Sequence, residues 1–364
     1  MIGRKEFMGV DWSKIHDQDK LTPATLPLAF FSFLYWVGIK LRMGAEVKKD
    51  ALPGFVVSLG NLTVGGTGKT PAAAMLAEWA LARGYRPAVL SRGYGGKSRR
   101  KALEVSDGKR VLAAAGEAGD EPYLLAKKLK GVPVIISKDR FEAGSFARHK
   151  HGTNFYILDD GFQHVKLRRD LDLVLMDAAR PFGNRRLLPW GPLREPMDHL
   201  ARADAFILTR SDESAPSELV ELLKRRFPEK PVFLSRHMPK KILFPRSWRT
   251  YGPAFFLGKK VAAFSGIAKP VRFQDTLARL GAEVCFFRAF PDHHPFSRAQ
   301  IEEMILQAKN ADCLVTTEKD WSRIENLQIH EDKLCYLTVN FELMPDDKAL
   351  FNMVRQRIRD SRKQ

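Results

Sequence analysis

A glycine-rich segment between an apolar run and a helical stretch constrains the fold of this chain more than any other feature. Residues 55–59 form a continuous apolar run typical of a buried strand. Residues 63–70 read TVGGTGKT and fit the phosphate-loop pattern G-x-x-x-x-G-K-[ST] except at its first position, where Thr63 replaces glycine. Residues 71–83 have the composition of a helix that begins with proline and is closed by Gly84. The order of strand, loop and helix predicts a nucleotide-binding α/β unit.

The predicted loop contains the groups that phosphate binding requires. Its glycines allow successive backbone N–H groups to point into one concavity, and the start of the following helix adds a positive partial charge. Lys69 is placed to reach the β- and γ-phosphates of ATP, and Thr70 to bind Mg²⁺. Val64 stands where the ATPases that partition DNA or membranes have a lysine, which argues against that subclass. We predict that ATP binds to six loop residues: Gly65, Gly66, Thr67, Gly68, Lys69 and Thr70.

A second strand candidate ends in two carboxylates. Residues 155–158 are apolar, and Asp159 and Asp160 follow them directly. Enzymes with this type of loop hold magnesium near an aspartate at a strand end. Adjacent strand residues point to opposite faces, so we expect only one of the two carboxylates to bind the metal directly, unless the strand has already turned. The alternative is that Asp160 and Gly161 only form a turn.

Two further polar clusters are ambiguous on their own. Asp120 precedes Pro122 and most simply caps the N-terminus of a helix. Asp292 is followed by His293 and His294, and no third residue with the spacing of a zinc site accompanies the two histidines. A hydrogen-bonded pair of aspartate and histidine that acts as a base across a cleft is chemically the better interpretation.

Apolar runs alternate with helical stretches along most of the chain. This alternation predicts a parallel sheet covered by helices on both faces. A second series of the same kind begins near Lys260, after a segment rich in proline, glycine and basic residues. The predicted fold is therefore α/β, with a P-loop NTPase-like unit and a second, smaller unit. The predicted boundaries are an N-terminal apolar and basic segment (1–45), the P-loop unit (46–237), a linker (238–259), the second α/β unit (260–345) and a basic C-terminal helix (346–364), which we expect to pack back across one of the units.

The N-terminal segment contains an almost wholly apolar, aromatic-rich run at residues 26–39. This run is too short for a membrane-spanning helix, which needs about 20 residues. Aspartates precede it and no small-residue cleavage site follows it, which argues against a signal peptide. Because Lys40 and Arg42 come next, we expect the segment to lie in a membrane interface, with the basic residues facing anionic headgroups. The alternative is a helix docked on the protein's own core.

The charge balance is strongly basic. The chain has 60 Lys and Arg residues against 42 Asp and Glu, a formal net charge of +18. Such an excess favours a polyanionic partner: nucleic acid, an anionic membrane or a phosphorylated substrate. The basic residues are scattered rather than interleaved with aromatic ones, and no nucleic-acid-binding motif is visible, so we predict no nucleic-acid partner.

Taken together, the motifs resemble those of the tetraacyldisaccharide 4′-kinase family. Members of this family phosphorylate a tetraacylated glucosamine disaccharide 1-phosphate in the lipid A pathway, and threonine at the first loop position is ordinary among them. The resemblance spans nearly the whole chain in a consistent order. It is carried by the loop block 60–71 and by six further blocks, at 91–95, 119–122, 158–164, 188–196, 290–294 and 317–320.

The resemblance implies two α/β units with a cleft between them, ATP and Mg²⁺ as cofactors, and association with the cytoplasmic face of the inner membrane, where the lipid substrate resides. The net charge of +18 fits an anionic membrane surface as partner, and no protein partner is predicted. The resemblance also implies residue roles: Asp120 as the base for the 4′-hydroxyl with His293 orienting it, Lys69 and Thr70 in the loop, Asp159 and Asp160 at magnesium, Arg194 and Glu195 at the transfer site, and Tyr94 as a nucleotide or substrate contact.

Three other functions use part of the same pattern. A membrane-associated P-loop ATPase switch would keep Lys69 and Thr70 but would not need Asp120 and His293. An ATP-dependent ligase of the dethiobiotin-synthetase type would not need the apolar N-terminal run. A nucleic-acid-stimulated ATPase is suggested only by the charge.

Overall fold

The computed structural model describes residues 15–16, 20, 22–23, 25–44, 49–96, 101–214, 216–346 and 348–362. Within these ranges, thirteen strands belong to one sheet: β1 (Phe55–Gly60), β2 (Pro87–Ser91), β3 (Leu103–Ser106), β4 (Val134–Ile136), β5 (Phe155–Asp159), β6 (Leu171–Asp177), β7 (Ala205–Thr209), β8 (Val232–Phe244), β9 (Arg249–Tyr251), β10 (Lys260–Ser265), β11 (Glu283–Ala289), β12 (Cys313–Thr317) and β13 (Leu334–Met344).

Helices cover this sheet and connect its parallel strands. Their bounds are α1 (Leu26–Gly44), α2 (Lys69–Ala82), α3 (Ala115–Ala118), α4 (Asp120–Lys128), α5 (Arg140–His151), α6 (Ser217–Arg226), α7 (Pro270–Arg279), α8 (Arg298–Gln307), α9 (Glu318–Ile324) and α10 (Lys348–Ser361). Three short 3₁₀ helices are also present, at Met197–Arg202, Pro253–Phe256 and Glu325–Leu327. The predicted α/β class is confirmed.

The first part of the sheet is the P-loop unit. Its strands run in the order β8-β7-β6-β1-β5-β2-β4-β3 and are parallel except for β3. All residues of β1, β5, β6 and β7 are buried, as expected for strands covered on both faces. The carboxyl ends of these four strands meet at one edge of the sheet, where the predicted loop follows β1.

The second unit continues the same sheet. Strand β8 pairs with β7 in parallel at its start and with β13 antiparallel along its length, and β13, β12, β10 and β11 follow in parallel. Because β13 reverses the strand direction, the carboxyl ends of β10 and β12 point toward those of the P-loop unit. The two functional edges therefore face each other across a cleft. The predicted boundary between residues 237 and 238 lies inside β8.

Two helices at the chain ends pack on the P-loop unit. Helix α10 buries Phe351 against Trp79 of α2, with the rings parallel and 4.8 Å apart. Helix α1 extends beyond the apolar run identified in the sequence and has 19 residues. By length and composition it is able to cross a membrane, contrary to the estimate from residues 26–39. Among residues 26–43 only Ser32 is buried, so α1 does not serve as a core helix.

Candidate active site

The glycine loop after β1 has the conformation that its sequence predicts. Gly65 and Gly68 adopt positive φ values of 106° and 82°, and helix α2 begins directly at Lys69. A Cβ atom at Gly68 would lie 2.6 Å from Nε2 of His237, so only glycine fits there. Tight packing thus fixes the start of α2, whose N-terminus points its free N–H groups into the cleft.

Lys69 is held in place by two polar partners. Its side chain is buried, and Nζ donates to Oδ1 of Asn61 over 3.0 Å. Nζ also lies 3.5 Å from Oδ1 of Asp160. An ammonium group in this position is preorganised to face a phosphate bound on the loop. Sequence reasoning missed Asn61, although it follows β1 directly and is the nearest polar residue to the loop.

Asp160 forms the second half of this charge cluster. Its backbone is in the left-handed region, with φ 58°, so the chain has already turned after β5. Nη1 of Arg194 lies 2.9 and 2.8 Å from the two carboxylate oxygens of Asp160. Burial opposes ionisation, but the charges of Lys69 and Arg194 outweigh it and hold the pKa of Asp160 below its usual range. Two cations and one carboxylate leave net positive charge beside the loop.

Asp159 has the opposite environment, although it is the adjacent residue. It is the last residue of β5 and is almost fully buried, and Oδ1 has no hydrogen-bond partner among the described residues. Burial, reinforced by repulsion from Glu121, raises the pKa of Asp159 to about 7. A buried carboxylate oxygen without a partner fits a cation or its water shell, because carboxylate oxygens are preferred magnesium ligands.

Two further buried polar atoms at the loop lack partners within the described part of the chain. They are Oγ1 of Thr67 and Nε2 of His237, which lies against Gly68. Burial and the charge of Arg210 lower the pKa of His237 to about 3, so this histidine is neutral. Leaving such groups unpaired costs about 1–3 kcal/mol each, which fits a site completed by a polar ligand.

The described residues contain no group of three or more His, Cys, Asp or Glu that could hold a metal ion by itself. Thr70 lies in the first turn of α2, next to Lys69. The unpaired Oδ1 of Asp159 and the hydroxyl group of Thr70 are the oxygen ligands that this part of the site offers to a magnesium ion.

Asp120 is the first residue of helix α4 and lies on the P-loop unit's side of the cleft. Gly119 has φ 90°, and a Cβ atom there would approach the carbonyl oxygen of Tyr94 to 2.5 Å. His293 and Arg323 of the second unit both contact Oδ2 of Asp120, through Nδ1 at 2.9 Å and Nε at 2.7 Å. Oδ1 accepts no hydrogen bond from the part of the chain that the structure describes, so it remains able to accept a proton.

His293 is oriented by groups on both sides of its ring. Lys319 Nζ lies 3.3 Å from Nε2, and on the other side of the ring Nδ1 contacts Oδ2 of Asp120 at 2.9 Å and Nη2 of Arg323 at 3.3 Å. The residue has φ 60°, a conformation that costs free energy and often marks a functional position. His294 instead stacks on Phe290, with ring centroids 4.7 Å apart. The structure thus places His293, not His294, beside Asp120.

Arg323 is a site residue that the sequence did not reveal. It lies in α9, bonds to Oδ1 of Asp320 at 2.8 Å and donates to the carbonyl oxygen of Gly266 at 2.9 Å. These contacts hold the guanidinium group against Asp120. Burial favours the neutral form of Asp120, but the hydrogen bond from His293 and the charge of Arg323 lower its pKa below the usual value. Arg323 follows Asp320 by three residues, a spacing at which side chains of a helix meet, and this was the only signal in the sequence for the contact.

This arrangement predicts a pH effect. In Arg323→Met, the carboxylate of Asp120 loses a stabilising charge, so its pKa rises and a smaller fraction is ionised at a given acidic pH. We expect the acid limb of the kcat/KM profile to move to higher pH. The control Arg298→Met removes an exposed arginine paired with Glu302 and is expected to leave the limb in place. An unchanged limb in Arg323→Met would contradict the coupling.

The two remaining predicted site residues, Glu195 and Tyr94, have environments that differ from those of Lys69, Asp160 and Arg194. Glu195 is buried, and its Oε2 contacts Arg202 at 2.6 Å and His199 at 2.8 Å. Its neighbour Arg194 is the residue that reaches Asp160. Tyr94 is 80% exposed on the turn that packs against Gly119.

A separate ion-pair cluster joins the two units on the other side of the loop. Asp177, at the end of β6, is buried and contacts Arg210 at 3.1 Å, Lys269 at 2.9 Å and Arg272 at 2.9 Å. Arg210 also donates to the carbonyl oxygen of Gly66 over 3.3 Å. Lys269 and Arg272 belong to the second unit, so this one carboxylate ties it to the P-loop.

We expect Asp177→Asn to destabilise the protein by about 3 kcal/mol, because three cations would surround a neutral amide. The matched control is Asp198→Asn, which removes a carboxylate that pairs with Arg226 at the surface and should cost less than about 1 kcal/mol. Chemical denaturation of both variants measures the difference. Equal losses would show that the Asp177 cluster does not hold the units together.

Comparison with known protein families identifies the family of this chain. The model of the tetraacyldisaccharide-1-P 4′-kinase family, LpxK, matches residues 24–359. The chain belongs to this family. A tetraacyldisaccharide 4′-kinase of Syntrophus aciditrophicus is 38% identical over 367 residues, covering 96% of this chain and 97% of the relative. One from Anaeromyxobacter sp. strain Fw109-5 is 47% identical over 299 residues, covering 81% of this chain and 80% of the relative.

A solved member of the LpxK family has the same architecture. The crystal structure of LpxK from Aquifex aeolicus in complex with ATP matches with a TM-score of 0.75 at 34% identity. The match covers 92% of this chain and 98% of the Aquifex chain. The family resemblance drawn from the sequence motifs is thereby confirmed, as are the enzyme class and the α/β fold with a P-loop unit.

Proposed function

We propose that this protein transfers the γ-phosphate of ATP to the 4′-hydroxyl group of a tetraacyldisaccharide 1-phosphate in lipid A biosynthesis. The observation that carries the proposal is the 2.9 Å contact between Asp120 of the P-loop unit and His293 of the second unit. A nucleotide switch would not need this pair across the cleft. Membership of the kinase family supports the same reaction.

The nucleotide occupies the glycine loop in this proposal. Backbone N–H groups of the loop and the N-terminus of α2 bind the phosphates. Lys69 faces the β- and γ-phosphates, and Arg194 adds positive charge from the other side of Asp160. Phosphoryl transfer depends mainly on alignment and charge neutralisation, which these residues supply. A magnesium ion, when bound by the phosphates near Asp159 and Thr70, would neutralise further charge.

Asp120 acts as the base. His293 and Arg323 occupy Oδ2, which leaves Oδ1 to accept the proton of the 4′-hydroxyl group. The hydroxyl oxygen forms a bond to the γ-phosphorus, the bond from that phosphorus to the bridging oxygen of ADP breaks, and the proton moves to Asp120. His293 contacts Oδ2 of Asp120 through Nδ1, so it orients the carboxylate, and the proton of the hydroxyl group goes to Oδ1.

The membrane surface is the proposed place of reaction, on its cytoplasmic side, where ATP is available. A substrate with four acyl chains stays in the bilayer, and α1 exposes a set of apolar side chains that could enter it: Leu26, Phe30, Phe31, Phe33, Leu34 and Leu41. The net charge of +18 favours an anionic surface.

Helix α1 is proposed to lie along the interface rather than to span the bilayer. Ser32, Tyr35 and Arg42 all bond to loops of the P-loop unit. These residues cover roughly 15 Å of the helix axis. A spanning helix would carry those polar loops into the hydrocarbon region, where unpaired backbone groups are costly.

The reaction is tested by incubating the protein with ATP, Mg²⁺ and detergent-solubilised tetraacyldisaccharide 1-phosphate, followed by mass spectrometry and ³¹P NMR. A product with one added phosphate at the 4′ position is expected, and chelation of the metal should abolish its formation. Phosphate at another position, or none on the lipid, would overturn the assignment. Flotation with vesicles of anionic and of neutral lipid tests the membrane surface separately, and stronger binding to anionic vesicles is expected.

A further inference from the structure

Helix α1 is attached to the protein by hydrogen bonds rather than by a buried apolar face. Oγ of Ser32 donates to the carbonyl oxygen of Leu187 at 2.7 Å and accepts from the backbone N–H of Trp190 at 3.1 Å. The hydroxyl group of Tyr35 donates to the carbonyl oxygen of Arg194 at 3.0 Å. Most of the large apolar side chains of the helix remain exposed, whereas Leu28, Trp36, Val37 and Ile39 are half-buried.

The hydrogen bond of Arg42 connects α1 to the charge cluster of Lys69, Asp160 and Arg194. Nη2 of Arg42 donates to the carbonyl oxygen of Gln163 at 2.7 Å. The side chain of Gln163 donates to the carbonyl oxygen of Asn61 at 2.9 Å, and Asn61 in turn accepts from Lys69. Gln163 is also three residues beyond Asp160.

The acceptors of the bonds from Tyr35 and Arg42 are therefore main-chain groups next to the transfer site. Tyr35 holds the backbone of Arg194, the residue whose guanidinium group binds Asp160. Arg42 holds the main chain of Gln163, whose side chain bonds to Asn61. Asn61 is the hydrogen-bond partner of Lys69. A shift of α1 would move both segments, because each is bonded to the helix through its main chain.

We propose that Tyr35 and Arg42 are positioning residues that make the geometry of the transfer site depend on lipid contact by α1. The inference rests on the proposed membrane-surface reaction and adds a regulatory link to it. When the exposed apolar face of α1 enters the bilayer, the helix is fixed against the same loops that carry Arg194 and Gln163. The charge cluster then keeps the arrangement that transfer requires.

Solvent exposure explains why the link should depend on lipid. Tyr35 is exposed, so in water its hydroxyl group exchanges one hydrogen-bond partner for another at little net cost. Lipid around α1 excludes water from this bond and lowers the local dielectric constant, which makes breaking the bond more costly. The same bond is therefore weak in the soluble protein and firm at the membrane.

The test compares Tyr35→Phe and the double variant with Arg42→Gln on two acceptors. One is the tetraacyl disaccharide 1-phosphate in anionic vesicles, and the other is a short-chain soluble analogue without lipid. Tyr251→Phe is the matched control, because it removes a hydroxyl group from a tyrosine of nearly equal exposure (37% against 38% for Tyr35) on a distant strand. Measurements are kcat, KM for ATP and vesicle flotation.

We expect kcat on vesicles to fall about fivefold in Tyr35→Phe and about twentyfold in the double variant, the effect of one and two weak hydrogen bonds. KM for ATP and flotation should match the wild type, and the soluble acceptor should show less than a twofold loss. An equal loss on both acceptors, a loss of flotation with normal kcat, or no loss would each overturn the coupling. A wild type that phosphorylates neither acceptor would refute the proposed function instead.

Discussion

Asp120→Asn is expected to lower kcat by about 10²- to 10⁴-fold, the range for removal of a general base. Asparagine keeps the shape of the side chain and can still accept from Arg323, so the cleft should stay intact. It cannot take the proton of the 4′-hydroxyl group. KM for ATP should change little, because neither Asp120 nor its partners His293 and Arg323 belong to the glycine loop.

His293→Ala tests the same unit from the other side and should lower kcat over a similar range. Asp292→Asn is the matched control, since it removes a carboxylate that lies 3.8 Å from Nε2 of His293 without touching Asp120. We expect it to lose less than about tenfold. Near-normal turnover in both Asp120→Asn and His293→Ala would remove the base assignment and leave the kinase function in place.

Lys69→Met is expected to lower kcat/KM by about 10³-fold, because it removes a preorganised charge from the developing transition state. Methionine fills most of the same volume, and Arg194 would remain to neutralise Asp160, so folding should persist. Thermal unfolding of the variant checks this point.

Lys128→Met is the control for the loss of a lysine outside the loop. Lys128 lies at the end of α4 and donates to the carbonyl oxygen of Val339 at 3.0 Å. Activity close to that of the wild type is expected in this variant. Equal losses in the two variants would show that the effect of Lys69 is not specific to the nucleotide site.

The local features of the fold were predictable because neighbouring residues encode them. The strand, glycine loop and helix around Lys69 follow from apolar patterning and from the conformations that glycine permits. Asp160 lies in a turn just after β5, with φ 58°, so this turn and not the alternation of side chains along a strand separates it from Asp159. The different protonation of these two residues needed burial and partners that only the tertiary structure provides.

Contacts between distant segments were not predictable from residue patterns. Asp120 and His293 are 173 positions apart, and only the family resemblance joined them. Arg323 escaped notice because its role depends on the docking of α9 against α4, which Tyr123 and Lys127 support through Glu325. Nor did the sequence indicate that Glu195 binds Arg202 and His199.

The sequence predicts a linker at residues 238–259, but the first part of this segment belongs to strand β8. Residues 238–244 are rich in basic residues and contain Pro239, yet they complete the long strand β8. The pairing with β13 shifts at this point: Lys241 lies opposite Thr338 and Pro239 opposite Val339, which leaves Lys240 as an extra residue. A bulge of this kind tolerates proline within a strand.

Transfer of phosphate to the lipid is measured by following the labelled γ-phosphate of ATP in the presence of the tetraacyl disaccharide 1-phosphate. We expect labelled lipid with the wild type and almost none with Lys69→Met or Asp120→Asn. Label released only as inorganic phosphate would show that the lipid is not the acceptor, would favour a membrane-associated ATPase, and would require the roles of Asp120 and His293 to be withdrawn.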